Sequence, residues 1–367
     1  MPTKQPRIMA RKCIASINLD AIKKNYLYAK SLAPQSKAIA VVKANAYGHG
    51  AVEVARQLEG DADCYGVACS EEALELRDSG IKNTPILLME GVFEESELEL
   101  VSRFNLWIVV CNSVQVQWIL NHKPNFKFNI FIKIDSGMGR LGFQGDEFEK
   151  YITVLENSLK VENITLMTHF SSADNIESNS TNTQLTEFNN LINSRKNHSS
   201  LANSAALMTL SDSLREFTRP GIMLYGSSPF PYKESFKDLL PAMTLSSLII
   251  SIKRFKKGQT IGYGERYICK KDTAIAVVAI GYADGYPRSA KDGTPVFVNG
   301  CIAKLAGQVS MDMITIDLDG VINPQIGDRV ELFGENISID ELAENCNTIS
   351  YEIFSQITNR VYKTYVS

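Results

Sequence analysis

Ala38-Ile39-Ala40-Val41-Val42-Lys43-Ala44-Asn45-Ala46-Tyr47-Gly48-His49-Gly50 begins with five apolar residues and ends in small, polar and glycine-rich ones. A short, unbroken apolar run reads as a strand buried on both faces, and Lys43 stands where that strand stops. In barrels and open α/β sheets, chemistry collects at the carboxyl ends of strands. An amine held there beside apolar walls loses hydration and becomes a usable nucleophile of the Schiff-base kind. A lone lysine at such a place is more often a solvated charge, so the rest of the chain has to decide.

Working outward, further apolar runs occupy Tyr65 to Ala68, Ile86 to Met89, Leu106 to Val110, Phe128 to Ile134, Ile164 to Thr168, Leu201 to Asn203 and Phe217 to Thr218. Amphipathic stretches with helix-start signals lie between them, such as Ser70-Glu71-Glu72-Ala73 before Leu74 and Leu76; Asp20 before Ile22, Tyr26 and Leu27 is another. Eight strand-then-helix units describe a parallel (β/α)8 TIM barrel over residues 20–235, followed by a mainly-β domain over 236–367. The second domain is read from Leu248-Ile249-Ile250, Ala274 to Ile280, Val296 to Val298, Met313 to Leu318 and Arg329 to Phe333, with turns such as Lys257-Gly258 and one helical signal, Ser338 to Asn345. Residues 1–19 contain the strand-like alternation Ile14 to Leu19; periodicity does not decide whether it joins the barrel or adds a strand to the β domain.

The 367 residues carry a net charge of −3 without long runs of either sign, which gives no footprint for nucleic acid or anionic membrane and leaves small-molecule chemistry as the default. Seven cysteines, none in a CxxC pair, argue against a full disulfide framework and for a reducing compartment. The polar, basic start from Met1 to Arg11 lacks the apolar core of a signal peptide, and no stretch reaches membrane-spanning length; the expected location is cytoplasmic.

On the barrel reading, chemistry-bearing residues fall at one rim: Lys43, Lys133, Arg140 in Asp135-Ser136-Gly137-Met138-Gly139-Arg140, His169, Asn203 and Ser204, and Arg219-Pro220-Gly221-Ile222. Singly, each has an ordinary structural explanation; together on one rim they do not. Ser204 capping the seventh helix, with the backbone at Gly221 and Ile222, suits a phosphate after strands seven and eight. No GxxxxGK[ST], HxH or HExxH occurs, and His49, His122, His169 and His198 are scattered, so a nucleoside triphosphate or a metal fits poorly. An amine, a phosphate nest and two arginines suit pyridoxal 5'-phosphate.

At this point the residues resemble the alanine racemase family of barrel-class (fold type III) pyridoxal-phosphate enzymes, along nearly the whole chain. The resemblance is carried by Ala40 to Gly50, Lys133 to Gly142, Thr168-His169-Phe170, Ala202-Asn203-Ser204-Ala205, Arg219 to Ile222, Gly262-Tyr263-Gly264, Gly281-Tyr282-Ala283-Asp284-Gly285 and Ser310-Met311-Asp312. It implies that Lys43 forms the cofactor aldimine and is the base on the D face. Tyr263 would be the opposite base, supplied by the partner subunit of a homodimer with shared sites and assisted through His169 and Arg219. Arg219 would face the pyridine nitrogen. Arg140 would contact the cofactor and the substrate carboxylate, held by Lys133, a residue carbamylated in many relatives. Met311 would offer its amide to that carboxylate, and Tyr282 would narrow the entrance. Tyr47, Asn203, Ser204, Gly221 and Ile222 would hold the cofactor. The implied activity is interconversion of L- and D-alanine for peptidoglycan. A racemase of serine or another amino acid, a barrel-class decarboxylase and a non-catalytic cofactor carrier are the alternatives, with a metal-dependent hydrolase more remote. Two departures stand out: Asn359 precedes Arg360-Val361 where some relatives have a phosphate-binding tyrosine, and Gln308 stands where many have arginine.

Overall fold

The computed structural model describes residues 10–123, 125, 127–192, 195–230 and 238–367. The described residues divide into two compact units, 22–230 with 238 and 239, and 10–21 with 240–367. The expected boundary after residue 235 lies outside the described residues.

Strand β1 (Ile14–Asn18) precedes eight parallel strands: β2 (Lys37–Val41), β3 (Cys64–Val67), β4 (Ile86–Leu88), β5 (Trp107–Val110), β6 (Phe128–Lys133), β7 (Val161–Met167), β8 (His198–Ser200) and β9 (Phe217–Thr218). They close into a barrel in sequence order, with β9 returning to β2 through Lys37 opposite Phe217 and Ala38 opposite Thr218. Most of these strands are buried along nearly their whole length, and β7 over its last three residues, because helices cover the outer face while side chains fill the interior. That interior is packed by Ile39, Cys64, Leu87, Val109, Cys111, Phe131, Met167 and Phe217.

The seventh barrel strand is β8, three residues ahead of the expected Leu201 to Asn203. Its polar residues hid it from an apolar-run criterion. Ser199 and Ser200 are buried, and their polarity is satisfied by Glu216 and Arg219 respectively. The cap of the helix that follows, Ser204–Thr209, is Asn203, whose Oδ1 accepts from the Ala206 amide at 3.0 Å; Ser204 is already inside the helix. Asn18, not Asp20, caps the helix Leu19–Leu32, accepting from Ala21 at 2.9 Å.

The other unit contains β10 (Met243–Phe255), β11 (Thr260–Ile261), β12 (Tyr267–Ile268), β13 (Thr273–Val278), β14 (Pro295–Val298), β15 (Cys301–Leu305), β16 (Ile314–Asp317), β17 (Arg329–Phe333) and β18 (Tyr362–Val366). Long β10 pairs with both β17 and β13, closing the order β13-β16-β15-β14-β17-β10 into an antiparallel ring. β1 pairs antiparallel with β10 and parallel with β18. Strands β11, β12, β15 and β18 and the helix Ser350–Gln356 add to the elements the sequence signals marked. Helix Ile339–Cys346 begins at Ser338, which caps it through the Asp340 amide. Among the described residues, no helix is long and apolar enough to cross a membrane.

Candidate active site

Lys43 stands two residues beyond β2. The four residues after it, Ala44, Asn45, Ala46 and Tyr47, all lie in the left-handed region at φ of 51°, 53°, 53° and 51°. Without glycine, each such residue costs roughly 1–2 kcal/mol of backbone strain, so the turn exists only because its surroundings hold it. Ala46 donates to the Val42 carbonyl at 2.8 Å, Gly48 to Ala44 at 3.0 Å and Gly50 to Asn45 at 2.9 Å. The Asn45 side chain accepts from the Ala51 amide at 2.8 Å. The reversal places Lys43 at one end and Tyr47 at the other. Tyr47 packs on Tyr225, which itself stacks on His49 and donates to the Val41 carbonyl.

The Tyr47 hydroxyl meets the loop after β9. A Cβ on Gly221 would stand 2.8 Å from it, so only glycine leaves that space open. The Gly221 amide donates to Ser204 Oγ at 2.9 Å, and Ile222 opens the short 3-10 turn Ile222–Tyr225. Tyr47, Ser204, Gly221 and Ile222 thus converge.

Arg219 is 2 % exposed. Its Nη1 donates to Ser200 Oγ at 2.5 Å, and its Nη2 donates to the carbonyls of Thr168 at 2.7 Å and Leu201 at 3.0 Å and to His169 Nδ1 at 3.3 Å. Among the described residues, Nε has no partner. Burial pulls the guanidinium down to about 9, still high enough to remain charged at neutral pH. A guanidinium only donates, so His169 Nδ1 accepts and the ring proton is assigned to Nε2. Burial, then the charges of Arg219, Lys133, Arg140 and Lys43, drive the imidazole well below its ordinary pKa. His169 is therefore neutral at pH 7.

Lys133 ends β6 and is buried; burial first, then Arg219 and Arg140, lower it to about 8. Arg140 is exposed on the loop beyond. Asp135 shapes that loop by accepting the amides of Gly137, Met138 and Gly139 on one oxygen.

In the other unit, Tyr263 is 72 % exposed at the turn between β11 and β12, a turn made of left-handed Gly262, Gly264 and Glu265. Arg266 anchors it to Asp292, Gln308 Oε1 and the carbonyls of Ala290 and Gly307. Gln308, the departure noted in the sequence, also donates to the Arg288 carbonyl at 2.8 Å. Tyr282 and Met311 lie on two loops clasped together: Tyr282 and Ala283 donate to the carbonyls of Ser310 and Met311, and a side chain at Gly281 would strike both oxygens. Buried Asp284 organises the clasp. It accepts two bonds from Arg11 at 2.5 and 2.6 Å and the Gly281 amide at 2.9 Å, with Arg360 3.4 Å away. Arg360 also reaches Asp312 at 2.6 Å. In the sequence Asp284 is one member of the Gly281 to Gly285 motif with nothing to mark a role, and Arg11, Ser200 and Arg266 carry no local signal that singles them out.

The residues fit pyridoxal phosphate: a strand-end amine, a cradle that a Cβ would fill, and a buried guanidinium with a donor to spare. The charges acting on His169 are cationic throughout, as suits a phosphate and a carboxylate. Fold and site together define the barrel class of enzymes that use this cofactor.

Residues 17–229 match the family model described as alanine racemase, N-terminal domain, and residues 242–365 the one described as alanine racemase, C-terminal domain. An alanine racemase of Aromatoleum aromaticum is 45% identical over 347 residues, 95% of this chain and 97% of that protein. The crystal structure of biosynthetic alanine racemase from Pseudomonas aeruginosa superposes with a TM-score of 0.93 at 42% identity, covering 97% of this chain and 100% of that one. The alanine racemase of Bartonella henselae, described with covalently bound pyridoxal phosphate, gives 0.89 at 30% identity over 97% and 99% of the two chains. The chain belongs to the alanine racemase family and is a pyridoxal-phosphate-dependent isomerase.

Proposed function

We propose that this protein interconverts L-alanine and D-alanine by proton exchange at the α-carbon between two bases, as a cytoplasmic homodimer supplying D-alanine for peptidoglycan. The observation that carries this reading is the rim on which Lys43, Lys133, Arg140 and Arg219 all bear on a neutral His169. Bound there, pyridoxal phosphate supplies a conjugated ring that draws electron density from the substrate's α-carbon and acidifies its hydrogen.

Lys43 Nζ holds the cofactor and moves the α-proton on the D face. Tyr263 of the partner subunit moves it on the other face; the exposure of Tyr263 and of Met311, which is 53 % exposed, supports association through that surface. A phenol ordinarily titrates near 10, so this tyrosine needs help. His169 provides it by donating from Nε2 to the phenolate while Nδ1 accepts from Arg219. Arg219 keeps its own protons, so opposite the ring nitrogen it would leave that nitrogen unprotonated, which would limit electron withdrawal and favour prompt return of a proton over transamination. Tyr47, Ser204, Gly221 and Ile222 would hold the phosphate end of the cofactor, with Asn203 a further cofactor contact.

Arg140 and the Met311 amide of the partner subunit orient the substrate carboxylate, and Tyr282 narrows the entrance so that a methyl side chain passes best. With its amine near 8, roughly a tenth of Lys133 is neutral at pH 7. That amine adds to carbon dioxide, forming an N–C bond and releasing one proton, and the resulting carbamate braces Arg140. Seven free cysteines are consistent with the cytoplasm.

Incubation of the cofactor-loaded protein with single L-amino acids in heavy water tests the function. Deuterium at the α-carbon together with D-alanine, and little of either with serine or lysine, is the expected result. Absence of exchange in loaded protein would move the reading to a cofactor carrier.

A further inference from the structure

The left-handed turn after Lys43 carries three residues that ordinarily avoid that conformation, Ala44, Ala46 and Tyr47, beside an asparagine that tolerates it, and one carboxylate outside the turn reaches into it. Glu72 lies in the first turn of helix Ser70–Asp78. Its Oε2 accepts from the Ala68 amide at 2.8 Å, the common service of a first-turn glutamate to the entry of its own helix. Its Oε1 leaves that helix and accepts from the Ala44 amide at 2.7 Å, at the first strained residue of the turn. One side chain therefore ties the backbone that follows β2 to the backbone that follows β3.

We infer that Glu72 is a positioning residue for the cofactor lysine. By holding the Ala44 amide it keeps Ala44 to Tyr47 left-handed, and so fixes at once the root of Lys43 and the place of the Tyr47 hydroxyl beside Gly221. The inference rests on the proposal that Lys43 and Tyr47 hold the cofactor. A right-handed turn of the same length would satisfy the preferences of Ala, Asn, Ala and Tyr better. Removing the acceptor at Ala44 thus leaves a segment free to relax toward it. The carboxylate bond to Ala44 is solvent-exposed, which keeps its weight at the lower end for a charge-assisted bond, on the order of a tenfold effect at most.

The experiment compares cofactor release from the loaded protein with amide exchange in the turn, using Glu72→Ala, Glu72→Gln, Ala44→Gly and the double variant Glu72→Ala with Ala44→Gly. Glu72→Ala should release cofactor several-fold faster and speed exchange of the Ala46 and Gly48 amides, which close the turn on Val42 and Ala44. Glu72→Gln keeps only one acceptor and should fall between; it also serves if the alanine variant folds poorly. Ala44 is exposed and glycine enters the left-handed region freely. Ala44→Gly should therefore recover most of the loss in the Glu72→Ala background. Glu72 acting only as a cap on its own helix predicts no such recovery, and equal effects of Ala44→Gly in both backgrounds would overturn the inference. So would unchanged cofactor release in Glu72→Ala. Lys43→Ala separates the two readings: cofactor still borohydride-fixable in that variant would remove the role of Lys43, while the dependence of turn exchange on Glu72 would stand.

Discussion

Replacing Asp284 by alanine should loosen the clasp that carries Tyr282 and Met311 without disturbing the barrel. The carboxylate is fully buried, and its removal breaks three hydrogen bonds, from Arg11 Nη1, Arg11 Nη2 and the Gly281 amide, together with the ion pair to Arg360. Breaking a wholly buried ion pair costs about 3–5 kcal/mol. Here the cations are not wholly buried, with the side chains of Arg11 and Arg360 33% and 43% exposed, so both can turn to water once the acid is gone. The orphaned Gly281 amide cannot, and together these put the loss at about 2 kcal/mol. At 1.4 kcal/mol per tenfold, that is about a twenty-five-fold increase in local opening. Hydrogen exchange of the Tyr282 and Ala283 amides reads it directly, because both are protected only by the carbonyls across the clasp. A matching rise in KM with little change in kcat would follow from a disordered entrance. Unchanged exchange at these amides would refute the reasoning, since it would mean that the loops hold each other without Asp284.

Gly221→Ala should weaken cofactor binding by about tenfold, from an overpacking cost of ~1–3 kcal/mol as the new methyl pushes on Tyr47; equilibrium dialysis checks it, and unaltered binding would deny that the cradle is tight. His169 makes the fold acid-sensitive. Its folded pKa lies below the ordinary 6.5, so the unfolded chain binds the extra proton first and stability falls as pH drops below about 6.5. His169→Gln should flatten that part of the stability curve, and an identical curve would contradict the burial of a neutral ring. Carbon-13 bicarbonate should give a carbamate signal that Lys133→Met abolishes; the same signal in the variant would place the carbamate elsewhere.

Much of the barrel was legible because strands buried on both faces leave continuous apolar runs, as from Ala38 to Val42. β8 was not, because its buried serines answer to Arg219 and Glu216, partners distant in sequence. In the β domain, short strands such as β11 and β12 carry too few residues for alternation to register. The rim residues were legible as a set, since Lys43, Lys133, His169 and Arg219 follow recognisable strand ends. Their supports were hidden. Ala44 to Tyr47 contain no glycine to announce a left-handed turn, and Arg11, Asp284 and Arg360 lie far apart in the chain.

If two bases serve opposite faces of one carbon, the fate of the α-hydrogen distinguishes them from a single base. Early in a reaction from L-alanine in heavy water, deuterium should enter the D-alanine formed while remaining L-alanine stays protiated, with Tyr263→Phe suppressing proton removal from the L isomer. Retention of the original hydrogen in the product, or exchange into L-alanine as fast as D-alanine appears, would point to one base acting on both faces and rule out the two-base mechanism.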